Sequence, residues 1–315
     1  MKRTLVIGGS GFIGRHVTRL LCESGREVTV LGRSSKPAPG LHPASRYICG
    51  DYGNRPLLRS LLCPKGEVID LAYSTVPKTS YEDPSYDLLS NLPVSVGLFQ
   101  EALEAGVGRL VVVSSGGTVY GPTDQLPIRE DHATMPVSPY GITKLTTDRY
   151  AFMFHRNTGL PVVVGRPANA YGEDQRTGTG QGFIAAAINA VLSSREIEIY
   201  GERGTIRDYI HVTDVASGII SLLDHGDDGE VYNMGTGIGT SNEEIVKLLE
   251  EFAARMNLPV RRKILPPRKF DVQANILDSS KLKSECSWSP LIPLRIGLER
   301  VWKAAIESEK ILSTD

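Results

Sequence analysis

Six short runs of β-branched and aliphatic residues, at positions 4–7, 27–31, 46–48, 68–71, 110–114 and 161–165, alternate through the first half of the chain with helical periodicity. That alternation predicts a parallel sheet covered by helices on both faces. Between the first two runs, Phe12, Ile13, Val17, Leu20 and Leu21 give a helix one apolar stripe, and Gly25 stands where a left-handed C-terminal cap belongs. Residues 138–157 predict a further helix, entered through Pro136 and Pro139. The expected fold class is α/β with a doubly wound parallel sheet, the Rossmann layout, in which ligands bind beyond the carboxyl ends of the strands.

After about residue 168 the rhythm breaks into a glycine-rich loop at 172–182, a helix-like stretch, and short mixed elements containing Gly201, Gly204, Gly235, Gly237 and Gly239. This irregularity predicts a smaller C-terminal lobe on the ligand-binding edge. We therefore divide the chain into a Rossmann domain, 1–168, and a smaller lobe, 169–315, with some segments of the second returning to the first. Residues 296–309 read as a closing amphipathic helix.

Composition adds exclusions. With 35 basic and 36 acidic side chains among 315 residues, no polyanion-binding surface is expected, so nucleic acid is not a partner. The four cysteines, Cys22, Cys49, Cys63 and Cys286, are too scattered for a disulfide framework or a metal pair, which predicts a reducing compartment and no metal. Lys2 and Arg3 before Leu5, Val6 and Ile7 imitate a signal peptide, but Gly8, Gly9, Gly11 and Gly14 end the imitation. The longest apolar run, 183–192, is too short to span a bilayer. A cytoplasmic protein without membrane contact is expected.

Gly8, Gly11 and Gly14 sit between the first strand and first helix, where glycine permits a tight turn, close approach of backbone N–H groups to a pyrophosphate, and close helix–sheet packing. The second strand closes on Gly32 followed by Arg33, instead of the carboxylate that accepts hydrogen bonds from the ribose of NAD. Arg33 can bind a 2′-phosphate, so NAD and NADP both stay open. Asp51, after the third run, is placed to accept a hydrogen bond from an adenine amine. Tyr140 and Lys144 lie one helical turn apart and leave the same face. An ammonium held beside a phenol favours phenolate, lowering its pKa from about 10 and making the tyrosine a general base.

With the glycine motif, the Tyr-x-x-x-Lys pair and residues 114–121 (Ser-Ser-Gly-Gly-Thr-Val-Tyr-Gly) in place, the chain resembles the extended short-chain dehydrogenase/reductase family. Within it, the sequence is similar to the nucleotide-sugar epimerases and dehydratases of the UDP-glucose 4-epimerase group. Further matching segments are 166–172, 207–214 and 232–235. The resemblance implies that Gly8, Gly11, Phe12, Ile13, Asp51, Tyr52, Leu71, Ala72, Asn91, Ser114, Tyr140, Lys144 and Pro167 bind the cofactor. It places Asn169, Tyr200, Arg207 and Arg268 at the nucleotide diphosphate of a UDP-sugar, and Asn275 where side-chain bulk limits the group on C2 of the hexose. Asparagine there leaves room for an N-acetylhexosamine. It also implies a homodimer through the helix carrying Tyr140 and its neighbour.

The implied activity is 4-epimerisation through a 4-keto sugar, with Tyr140, Lys144 and a hydroxyl relay as catalytic groups. The alternatives are an NADPH-dependent reductase of a nucleotide keto-sugar and a non-catalytic dinucleotide-binding scaffold. Three positions depart from the family. Gly116 replaces the serine or threonine that relays the proton; if the backbone is extended, Thr118 is the better substitute and Ser115 the poorer. Gly117 and Thr118 replace the Asp-Glu pair of dehydratases, which disfavours dehydration. Asp70 stands where the family often has histidine.

Overall fold

The computed structural model describes residues 2–175, 182–268 and 271–312. The chain begins β1 (Arg3–Ile7), α1 (Phe12–Glu23), β2 (Glu27–Gly32), β3 (Arg46–Cys49), α2 (Arg55–Leu61), β4 (Glu67–Asp70), α3 (Pro77–Glu82), α4 (Pro84–Glu104), β5 (Arg109–Val113), α5 (Gly116–Val119), α6 (Pro139–Thr158) and β6 (Val162–Pro167). It continues β7 (Asn169–Tyr171), α7 (Phe183–Leu192), β8 (Glu196–Tyr200), β9 (Ile206–His211), α8 (Val212–His225), β10 (Val231–Met234), β11 (Gly239–Ser241), α9 (Asn242–Ala254), β12 (Arg261–Leu265), β13 (Ala274–Asn275), α10 (Ser280–Cys286) and α11 (Leu294–Leu312).

Seven strands form one parallel sheet in the order β10-β6-β5-β4-β1-β2-β3, the doubly wound α/β layout. Side chains alternate across it as the pleat requires. Val6, Val28, Val30, Ile69, Val111 and Val163 pack on one face with Val17 and Leu21 of α1 and Ile219 of α8. Leu5, Ile7, Leu31, Val68, Leu110, Val112 and Val162 pack on the other with Leu98 and Phe99 of α4 and Ala151 of α6. Each such aliphatic side chain contributes about 1.5–3 kcal/mol on burial. Gly25, at φ +81°, closes α1 as its cap, donating its N–H to Cys22 O at 3.0 Å.

The six strands expected from the hydrophobic runs match β1 to β6. The seventh, β10, comes from residues 231–234, where Asn233 interrupts an already short apolar run, so periodicity alone did not mark it as a strand. It pairs with β6, and α8 packs beneath the sheet, so the stretch from Val212 to Met234 belongs to the first layer although it lies beyond residue 168. Of the remaining elements, α10 packs against α8 and β10, with Leu282 and Cys286 in the same core; the others build the smaller lobe, where β7, β9, β11 and β13 form one sheet and β8 and β12 another. Ile184, Ile188, Ile245, Leu249, Leu298 and Trp302 form its core. Of the glycine-rich loop at 172–182, residues 176–181 lie outside the described residues.

Candidate active site

The register Ile7↔Leu31, Ile7↔Asp70, Asp70↔Val112 and Val113↔Gly165 brings the carboxyl ends of five strands into line. Gly8, Gly32, Leu71 and Ser114 each follow or close one of these strands, so four sequence-predicted positions fall on one edge of the sheet. Gly8 adopts φ +78°, and a Cβ there would lie 3.0 Å from Ala72 N, so only glycine fits between the first turn and the strand beside it. A Cβ on Gly14 would collide with the carbonyl of Gly8, which lets α1 start close against β1. Gly11 caps α1 without a side-chain hydrogen bond, and no acidic residue occupies the first turn with Phe12 and Ile13. Backbone donors and the helix dipole are thus available to an anion, which fits a dinucleotide pyrophosphate.

Around this cradle, Asp51 is exposed after β3 and accepts from Gly53 N at 2.7 Å, with Tyr52 beside it. Arg33 is exposed after β2, and the Tyr47 hydroxyl lies 2.8 Å from where a Cβ on Gly32 would stand. Ala72 donates its N–H to Asp70 Oδ1 at 3.1 Å. Asn91 is buried, its amide accepting from Ser74 N at 2.8 Å and donating to Asp87 O at 2.7 Å, so it holds the loop after β4. Pro167 is buried at the end of β6.

Helix α6 starts at Ser138, whose hydroxyl accepts from Gly141 N at 3.0 Å, and this cap fixes the first turn that carries Tyr140. Tyr140 and Lys144 are both buried, at 9% and 8% exposure. Lys144 Nζ donates to Val113 O at 2.9 Å and lies 4.1 Å from the centre of the Tyr73 ring, against 5.9 Å for the Tyr140 ring. Tyr73 stands edge-on to Tyr140 at 4.9 Å. The expected lowering of the phenol is not found. Burial and the charge of Asp87 push Tyr140 above its ordinary value, and a hydrogen bond with Ser115 only partly opposes them. Burial brings Lys144 down to about 8 against the pull of Asp70, Asp148 and Asp87. In a dry pocket desolvation of the phenolate outweighs an ammonium that sits nearer a different ring.

The extended backbone on which the preference for Thr118 depended is absent: residues 116–119 form a helical turn, α5. Ser115, just ahead of it, is the hydroxyl partner of Tyr140, whereas Thr118 Oγ1 is buried without a hydrogen-bond partner. Gly116 has a steric cause. A Cβ there would collide with Leu277 and lie 3.0 Å from Arg166 O. Asn275, fully buried, donates from Nδ2 to Gly116 O at 3.1 Å and leaves Oδ1 without a partner.

On the lobe side, Arg268 lies over the Tyr200 ring at 3.4 Å, and the Tyr200 hydroxyl donates to Glu198 Oε2 at 2.9 Å. Arg207, lowered by burial, donates from Nη1 to its neighbour Ile206 O at 2.8 Å. Asp208 does not neutralise it, because that carboxylate accepts from Thr236 N, Gly237 N and Leu277 N. Among the described residues neither Arg207 nor Arg268 forms a side-chain ion pair. Asn169 is half-buried on β7, with its Oδ1 3.1 Å from where a Cβ on Gly117 would stand.

Sequence reasoning missed Asp148, which accepts from Arg166 Nε and Nη2 at 3.1 and 2.9 Å with both side chains buried. Its signal was present, since Asp148 lies four residues after Lys144 on the same helix face. Tyr73 carried no comparable mark.

The profile of the NAD-dependent epimerase/dehydratase family matches residues 4–235. The chain is 32% identical over 305 residues to the UDP-glucose 4-epimerase of Mycolicibacterium smegmatis, covering 95% of this chain and 96% of that one. It is 28% identical over 311 residues to a dTDP-4-dehydro-6-deoxyglucose reductase of Escherichia coli, covering 95% and 96%. The crystal structure of a UDP-glucose 4-epimerase from Thermotoga maritima, with UDP-glucose, superposes with a TM-score of 0.90 at 33% identity, covering 98% of this chain and 99% of that chain.

Proposed function

The chain belongs to the NAD-dependent epimerase/dehydratase family, and from that premise we propose that it is a nucleotide-sugar 4-epimerase acting on a UDP-hexose or UDP-N-acetylhexosamine in the cytoplasm. The observation that carries this reading is the burial of Tyr140 and Lys144 together at the carboxyl edge of the sheet, with the Ser115 hydroxyl against the phenol. NAD or NADP is the cofactor. Gly8, Gly11, Phe12 and Ile13 would hold its pyrophosphate, Asp51, Tyr52 and Arg33 its adenosine half, and Leu71, Ala72, Asn91, Ser114, Lys144 and Pro167 the rest. When bound, it supplies a reversible hydride acceptor.

Tyr140 takes the proton of the sugar 4-hydroxyl and returns it after the 4-keto sugar has turned about its diphosphate linkage. Ser115 is the hydroxyl through which that proton can pass, with Thr118 the alternative. Arg207 and Arg268 present planar donors that no carboxylate among the described residues pairs with, which suits a diphosphate. They anchor the end of the substrate that stays fixed while the hexose turns. Asn169 and Tyr200 border that anchor, and Asn275 sets the room at C2. Gly117 and Thr118, in the places of a dehydratase acid pair, disfavour loss of water.

Incubation with UDP-galactose and with UDP-N-acetylgalactosamine, assayed for the epimer and for cofactor redox state, tests the reading. Tyr140→Phe is expected to cut turnover by about a thousandfold while cofactor affinity stays within twofold. Unchanged turnover removes the mechanism. A second reading, an NADPH-dependent reductase of a nucleotide keto-sugar, is favoured by Gly32 and Arg33 and by the Escherichia coli reductase among the relatives. Stoichiometric oxidation of NADPH in the same assay distinguishes it.

We further propose a homodimer through α4 and α6. Tyr86 and Leu89 of α4 and Ile142, Tyr150 and Met153 of α6 are exposed. Beside them lies a groove of about 470 Å³ lined by Leu92, Val96, Gly97 and Tyr150. A second copy would cover this apolar surface.

A further inference from the structure

We propose that Asp70 is the counter-ion of Lys144 and acts on the proton transfer at Tyr140 through it, as a positioning residue. This rests on the epimerase reading above for its catalytic part only. Asp70 closes β4 and is 5% exposed. It shares with Lys144 a small void of about 10 Å³, the size of one water, bordered also by Tyr73, Ser114 and Asp148.

Charge accounting singles out the pair. Three carboxylates act on Lys144: Asp70 from β4, Asp87 from α4 and Asp148 from α6. Asp148 is held by the Arg166 guanidinium through two hydrogen bonds. Asp87 accepts from the Thr75 hydroxyl and faces the phenols of Tyr73 and Tyr140. Among the described residues Asp70 has one hydrogen bond, from its own loop at Ala72 N; the Tyr52 phenol acts on it too, and Tyr73 and Asp148 border the same void. Lys144 is the cation that opposes its burial, and Asp70 is the first of the charges that keep Lys144 protonated. An uncompensated carboxylate in this position would be costly, whereas a carboxylate paired with the catalytic lysine sustains a charge the mechanism needs.

The sign follows from burial. Desolvation moves Asp70 up to about 6 and Lys144 down to about 8, and each opposes the shift of the other. Removing the carboxylate releases the lysine proton at lower pH. The ammonium beside the phenol is then lost at a pH where the wild-type protein keeps it. Asp70→Asn is therefore expected to move the alkaline midpoint of the kcat pH profile down by about one pH unit, lowering kcat about tenfold on that limb, with KM within twofold. An alkaline midpoint that does not move overturns the proposal.

A stability cycle tests the pair without catalysis. At pH 8, Lys144→Met leaves Asp70 buried without its cation, so Asp70→Asn added to Lys144→Met should raise Tm above that of Lys144→Met alone. A double variant no more stable than Lys144→Met, including the case in which neither folds, also overturns it. If the wild-type protein epimerises nothing, the epimerase reading fails, while the stability cycle still reports on Asp70.

Discussion

Gly116 and Leu277 are two halves of one packing decision. The turn at 116–119 approaches the return segment so closely that Leu277, itself fully buried, occupies the volume a side chain on residue 116 would need. The hydroxyl bonded to Tyr140 is instead that of Ser115, next door. Gly116→Ser, which restores the residue type usual in the family, should not improve turnover. It is expected to destabilise the fold by about 1–3 kcal/mol through overpacking, measured by denaturant unfolding. A stable, more active Gly116→Ser protein contradicts this account. Tyr140 and Lys144 were legible from their spacing because a helix fixes side chains four apart on one face. Their protonation was not legible, because burial and Asp87 act from outside the helix.

At the level of elements, the first two turns of α6, which carry Tyr140 and Lys144, are held against the sheet edge from both ends. The cap at Ser138 secures one end, and the Asp148–Arg166 pair ties the helix to β6. Arg166 Nη1 also donates to the Tyr120 hydroxyl at 3.0 Å, which donates in turn to Asn233 Oδ1 of β10 at 2.8 Å, so α6, β6, β10 and the turn after α5 share one buried network. Breaking such a pair leaves an uncompensated charge, so Asp148→Ala is expected to cost about 3–5 kcal/mol in unfolding free energy. A loss below about 1 kcal/mol would show that the pair does not bear on the helix position. The strands and α6 could be read from the sequence because each carries its own periodicity. The seventh strand could not, since Val231 to Met234 becomes a strand only by pairing with β6.

For the whole molecule, two surfaces remain to be assigned by experiment: the site between sheet edge and lobe, and the apolar face of α4 and α6. Leu89 is 67% exposed and remote in sequence from Tyr140 and Lys144. Leu89→Arg is expected to convert a dimer into a monomer in sedimentation analysis while leaving the unfolding midpoint within a few degrees. A wild-type protein that sediments as a monomer removes the assembly. No helix among the described residues is long and apolar enough to cross a membrane.

The sequence by itself determined what local rules govern: the alternation of strands and helices, the glycines at the first turn, and the Tyr-x-x-x-Lys spacing that puts two groups on one helix face. Each is written within a stretch of a few residues. Tertiary structure decided what depends on residues brought together from afar. Asn275 meets Gly116 across 159 positions, Leu277 closes the space that a relay hydroxyl would fill, and Asp70 reaches the same small void as Lys144 from a neighbouring strand. The physical reason is that desolvation, charge pairing and close packing are properties of surroundings, and the surroundings of a residue are set by the fold.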